Sequence, residues 1–93
     1  MDEDEKPVFI DVRTANEYAE GHVEDSLNIP LESLGPENNS LPDRDATIIT
    51  ICNVGRKSLT GMLLLKSLGY TRVRSLMGGL NSWVAEGNML EEG

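Results

Sequence analysis

The sequence predicts an α/β domain, a mostly parallel sheet of four to five strands with helices on both faces. Three observations predict it. Two β-branched runs, VFIDV at 8–12 and ATIITI at 46–51, have the composition of buried strands. Helix-like segments alternate with strand-like ones along the chain, which is the pattern of strand–crossover–strand units. The same two runs are the most apolar of the strand candidates. They are expected at the centre of the sheet, where both faces are covered.

The elements follow in order. After strand 8–12, Thr14 and Glu17 form a capping box, in which the Thr14 hydroxyl accepts from the first turn and Glu17 reaches back. A short helix is predicted over 15–20, with Gly21 placed to close it. Residues 26–29, SLNI, read as a short strand stopped by Pro30, and 31–34 as one helical turn. The turn formers of GPENNSLPDRD, 35–45, predict a surface loop. Strand 46–51 comes next, then a helix from Ser58 to Leu68 with Gly69 as its stop. Gly61 inside that helix costs about 1 kcal/mol relative to Ala, which suggests close packing on the sheet. Residues 72–76, RVRSL, read as a strand, and Gly78-Gly79 as a turn. Leu80, Trp83 and Val84 then mark one face of a last helix ending at Gly87. Trp83 and the run 62–65, MLLL, are read as core.

With 93 residues the chain is expected to be one domain, 1–93, with an acidic, flexible stretch at 1–6. Sixteen acids against eight bases give a net charge of −8, which opposes nucleic-acid binding. No apolar run approaches the ~20 residues that span a bilayer. MDEDEK lacks the basic start of a signal peptide, so neither secretion nor membrane attachment is expected. One cysteine and one histidine exclude an internal disulfide and a Cys/His zinc site, and no metal is expected. A reducing, cytoplasmic setting suits the lone thiol.

That thiol, Cys52, ends the second long strand and precedes the loop Asn53-Val54-Gly55-Arg56-Lys57. In open α/β sheets, ligands bind beyond the carboxyl ends of the strands. Backbone N–H groups of such a loop, with the following helix N-terminus, make a pocket for negative charge. Arg56 and Lys57 add positive charge, and Gly55 lets the backbone curl. Comparable settings lower a cysteine pKa from ~8.5 to between ~3.5 and ~7.5. The competing reading makes Cys52 a small hydrophobe finishing a buried strand.

These residues carry a family resemblance covering Phe9 to about Asn88. The chain resembles single-domain rhodaneses, sulfurtransferases of the thiosulfate type. The matching residues are Asp11-Val12-Arg13, then Glu17, Tyr18, Gly21 and His22, then Asn28-Ile29-Pro30. They continue with Cys52-Asn-Val-Gly55-Arg-Lys57-Ser58, and close with Leu68-Gly69-Tyr70, Gly78-Gly79 and Trp83. The resemblance implies the three-layer rhodanese-like fold and a persulfide on Cys52. That sulfur would come from thiosulfate or a related small anionic donor and pass to a thiol or cyanide. Loop N–H groups from Asn53 through Ser58 would hold the extra sulfur, and Arg56 and Lys57 the donor's oxygens. No cofactor is implied. Asp11 and Arg13 either pair to brace the loop or lend Arg13 to the substrate, and the pairing is the preferred reading.

Two departures stand out. Lys57 occupies the position where the family usually has Arg, which trades a planar fork for a flexible point charge. Only seven residues precede Val8, where the family has a further strand and helix. Four strands are therefore expected, with an exposed edge, and a monomer or weak dimer. Three other readings rank lower. A non-catalytic rhodanese-like module would usually lose the cysteine. A phosphatase needs Arg six residues after its cysteine, where this chain has Ser58. A Cys–His hydrolase would need His22, which is better read as ordering its own turn.

Overall fold

The computed structural model describes residues 7–76 and 78–91. The acidic stretch 1–6 lies outside them. Strand β1 is Val8–Asp11, β2 Leu27–Asn28, β3 Ile48–Ile51 and β4 Val73–Ser75. They form one sheet in the order β2-β1-β3-β4, and every neighbouring pair is parallel. The two β-branched runs are its central strands, as expected, and register Val8 to Ile48 through Asp11 to Ile51.

Alternation along those strands sorts the core into two layers. Val8, Ile10, Val12, Ile48 and Cys52 belong to one cluster, with Met62, Leu65 and Leu68 of helix α2 (Arg56–Ser67) and its C-cap. Phe9 and Ile51 belong to the other, with Leu80 and Trp83 of helix α3 (Gly79–Ala85). Helices therefore cover both faces. The first helix, α1 (Ala15–Glu20), starts from the predicted Thr14–Glu17 capping box with both of its hydrogen bonds formed.

Three expectations need correction. α2 begins at Arg56 rather than Ser58, because Gly55 enters the left-handed region (φ 97°) and turns the chain straight into the helix. The 62–65 run is not all core: Leu65 is fully buried, Met62 is partly buried, and Leu63 is 57% exposed. Successive helical residues point about 100° apart, so four consecutive apolar residues cannot all face one sheet. Val84 likewise faces outward, and Trp83 is half-buried against Phe9, their rings edge to face at 6.2 Å.

Gly61 fulfils its expectation: a Cβ there would meet Val12 at 3.2 Å and Leu34 at 3.3 Å. His22 orders its turn. Its Nδ1 lies 2.9 Å from the Tyr18 carbonyl, and its ring stacks on Tyr18 at 3.8 Å.

Candidate active site

Cys52 stands one residue beyond β3, at the carboxyl end of a central strand. It is 3% exposed and belongs to the core cluster under α2. Burial alone would make it an inert hydrophobe, but its hydrogen bonds say otherwise. Sγ accepts the N–H of Gly55 at 3.0 Å and the N–H of Ser58 at 3.3 Å. The Ser58 hydroxyl lies 3.5 Å away. Burial pushes the thiol up, yet the Ser58 hydroxyl and the N–H groups of Ser58, Gly55 and Val54 pull it further down. The balance lies below the ordinary thiol value.

The start of α2 explains this geometry. Gly55 is the N-cap and has no side chain to satisfy the first-turn N–H groups. Sγ takes that role at the third residue of the helix, where the positive end of the helix dipole is strongest.

The back of the loop is fixed by α3. Leu80 donates its N–H to the Cys52 carbonyl at 2.8 Å, and Asn81 donates to the Asn53 carbonyl at 3.1 Å. With the Asn53 carbonyl held by α3, the peptide that follows it presents the Val54 N–H to the sulfur. Gly79 makes the approach possible. It has φ 65°, and a Cβ there would lie 2.5 Å from the Asn53 oxygen and 2.6 Å from the Cys52 oxygen. The pair read in the sequence as a turn is therefore also the seat of the cysteine loop.

Around the sulfur the chain forms a cleft of about 240 Å³, lined by Arg13, Glu17, Cys52, Asn53, Val54, Arg56 and Lys57. Arg56 and Lys57 are exposed at the first turn of α2, and neither takes a side-chain hydrogen bond or ion pair among the described residues. Asp11 and Arg13 pair as preferred, at 2.8 Å with both buried. Arg13 reaches further, donating to the Gly21 carbonyl at 2.7 Å and to Asn53 Oδ1 at 3.3 Å. It braces the loop through Asn53 and also forms part of the cleft wall.

Two residues at the site escape a reading of the sequence alone. Ser75 Oγ lies 2.6 Å from Ser58 Oγ, which extends the hydroxyl contact of the sulfur across to β4. Glu17, which the sequence marks as a capping and matching residue but not as part of the site, lines the cleft and accepts from Asn53 Nδ2 at 3.1 Å. The capping box and its place among the matching residues are the signals for Glu17, neither of which points to the cleft, and nothing in the sequence signals Ser75.

A thiol that accepts N–H groups at a helix N-terminus and lies beside a cleft at a strand end defines a class of α/β domain, those built around a cysteine loop. Within that class the chain belongs to the rhodanese-like domain family, whose model matches residues 1–86. The thiosulfate sulfurtransferase PspE of Escherichia coli (strain K12) is 38% identical over 80 residues, which cover 80% of this chain and 76% of PspE. The adenylyltransferase and sulfurtransferase uba4 of Ogataea parapolymorpha is 34% identical over 77 residues, which cover 83% of this chain but only 20% of that protein. The solved structure of a rhodanese with anions from E. coli matches with a TM-score of 0.80 at 31% identity, covering 95% of this chain and all of that one. These relatives support sulfur transfer as the general activity. No helix of the described residues is long and apolar enough to cross a membrane.

Proposed function

We propose that the protein moves a sulfane sulfur from thiosulfate or a related donor to a thiophilic acceptor through a persulfide on Cys52. The observation that carries this reading is the pair of N–H groups, Gly55 and Ser58, donating to Sγ at the floor of an open cleft. The thiolate attacks the outer sulfur of the donor, and the S–S bond of thiosulfate breaks. Its electron pair leaves with sulfite, and Cys52–S–S⁻ remains. Cyanide or a thiolate then attacks the outer sulfur of the persulfide and releases the Cys52 thiolate, with thiocyanate or a new persulfide as product. Covalent catalysis of this kind gives ping-pong kinetics.

Each loop residue has a part. The N–H groups of Val54, Gly55 and Ser58, which already favour the Cys52 thiolate, stabilise the charge of the persulfide. Arg56 and Lys57 attract the donor's oxygens, and Asn53 is held in register by Arg13. Asp11 keeps Arg13 in place. A reducing compartment keeps the single thiol available between turnovers. Sulfur transfer is assigned to the domain 1–93 itself.

The test is intact-mass spectrometry after exposure to thiosulfate, followed by cyanide. The wild type gains the mass of one sulfur atom and loses it to cyanide as thiocyanate. Cys52→Ser gains nothing. Full thiocyanate production by Cys52→Ser would overturn the reading.

A further inference from the structure

Charge is divided unevenly along the chain. Residues 46–85 hold none of the sixteen acids and five of the eight bases. They supply β3, α2, β4 and α3. The sheet order β2-β1-β3-β4 puts their strands on one side of the domain, with β4 at the rim. A protein that is acidic as a whole thus carries one basic side.

Strand β4 is also an open edge, pairing with β3 alone among the described residues. The Arg72 carbonyl accepts from Ile48, and Leu76 donates to the Thr50 carbonyl. By the alternation of a parallel ladder, the N–H and C=O groups of Val73 and Ser75 point away from the sheet. Beside them lies a groove of about 640 Å³, walled by α2. Leu59, Met62 and Lys66 line it from one stripe of that helix. Leu59 is apolar yet 49% exposed. Lys66 and Arg74 line the groove, and no acid does among the described residues. Both cations are exposed, and neither forms an ion pair among the described residues.

We propose that this groove docks an extended, acidic segment of a partner protein, which adds a strand to β4. In strand addition the main-chain bonds give affinity and the side-chain contacts give specificity. Val73 and Ser75 face α2, Val73 within its core cluster and Ser75 bonded to Ser58. Arg74 therefore faces the opposite side of the sheet. An added strand meets Leu59 and Met62 on one face and Arg74 on the other. The segment that fits alternates apolar residues with acids. A membrane surface would match the cations but leave the outward backbone groups of Val73 and Ser75 without partners. The groove reaches Gly55, whose N–H bonds the Cys52 sulfur, yet it shares no lining residue with the cleft. A docked partner thus sits beside the cysteine loop and leaves its mouth open.

The test uses the full chain and a capped, fluorescein-labelled decapeptide of alternating Glu and Val. Fluorescence anisotropy gives its affinity, and amide exchange followed by NMR gives its place. Binding that weakens as salt rises is expected, with exchange slowed at Val73 and Ser75. Reversing one exposed charge, by Arg74→Glu or Lys66→Glu, should weaken binding roughly three- to tenfold. Both variants should load sulfur on Cys52 as the wild type does, so docking and sulfur transfer are judged separately. A decapeptide with the same residues sorted into two blocks keeps the charge, loses the alternation and should bind more weakly. No binding of the alternating peptide at millimolar concentration overturns the proposal. So does equal binding of the blocked peptide, or protection away from β4. Binding to phosphatidylserine vesicles but to neither peptide would assign the basic side to a membrane surface instead.

Discussion

Ser58 donates its backbone N–H to Cys52 Sγ across 3.3 Å, so the sulfur that ends one element caps the next. The same residue's hydroxyl oxygen accepts from the Cys52 thiol at 3.5 Å, and Ser58 is itself fully buried. Structure and chemistry meet in this contact, since a helix N-terminus is more stable with a negative charge on it.

Cys52 is accordingly expected to react with iodoacetamide at a pH below the ~8.5 of a free thiol. Ser58→Ala removes the largest of the lowering influences and moves the alkylation midpoint up. The sign for stability follows from linkage. The folded-state pKa lies below the unfolded one, so the thiolate's contribution is fully present above about pH 8.5 and is lost as pH falls through the folded value. Chemical denaturation of wild type and Cys52→Ser across that range should show a stability difference that shifts in favour of wild type as pH rises.

Ser75 is expected to act through Ser58. When Cys52 is a thiol it can donate to Ser58 Oγ, which then donates to Ser75. When it is a thiolate the chain reverses, with Ser75 donating to Ser58 and Ser58 to the sulfur. Ser75→Ala removes the outer donor and should raise the alkylation midpoint less than Ser58→Ala does. An unchanged midpoint in Ser75→Ala would show that the relay does not reach the sulfur. Ser75→Thr, which restores a hydroxyl, should recover part of the effect.

Where a signal is local, the sequence announces it. Thr14 and Glu17 lie three residues apart, and their capping box forms as expected. The β-branched runs identify β1 and β3 because only strands covered on both faces tolerate so little polarity. Cys52 and its loop are legible because a strand end, a glycine and two cations are contiguous in the chain. What escapes depends on contacts between distant segments. Ser75 lies 17 residues from Ser58 and meets it only where α2 packs over β4. Glu17 reaches Asn53 across 36 residues. The sequence places the start of α2 two residues late because the left-handed turn at Gly55 replaces a loop with a cap, and no side chain marks it.

Gly79 tests whether the loop needs α3 as its seat. Its φ of 65° costs a non-glycine residue about 1–3 kcal/mol by itself. A Cβ would in addition strike the Cys52 and Asn53 carbonyls at 2.5–2.6 Å, and these are backbone atoms that cannot rotate aside. Gly87 has φ 94°, but a Cβ there would meet nothing within 4 Å. Gly87→Ala should thus cost only the backbone strain and leave sulfur loading intact. Gly79→Ala should melt lower still and lose most of its sulfur loading. Equal effects of the two variants on loading would separate α3 from the function of the loop.

The Asp11–Arg13 pair offers the largest expected loss of stability. Asp11 is completely buried and accepts from Arg13 through its backbone N–H at 3.0 Å, Nε at 2.9 Å and Nη2 at 2.8 Å. Asp11→Ala leaves a buried guanidinium without its counter-charge, which costs about 3–5 kcal/mol. For a domain of this size about 1 kcal/mol moves Tm by roughly 4–8 °C. A fall of more than about 10 °C is therefore expected by calorimetry. Replacing both residues with uncharged partners, Asp11→Asn with Arg13→Gln, should recover part of that loss, because no charge is then buried alone. The double variant should still load sulfur poorly, since Asn53 Oδ1 and the Gly21 carbonyl lose the guanidinium that joins them. If stability and loading recover together, the pair serves the fold alone and Asn53 needs no brace.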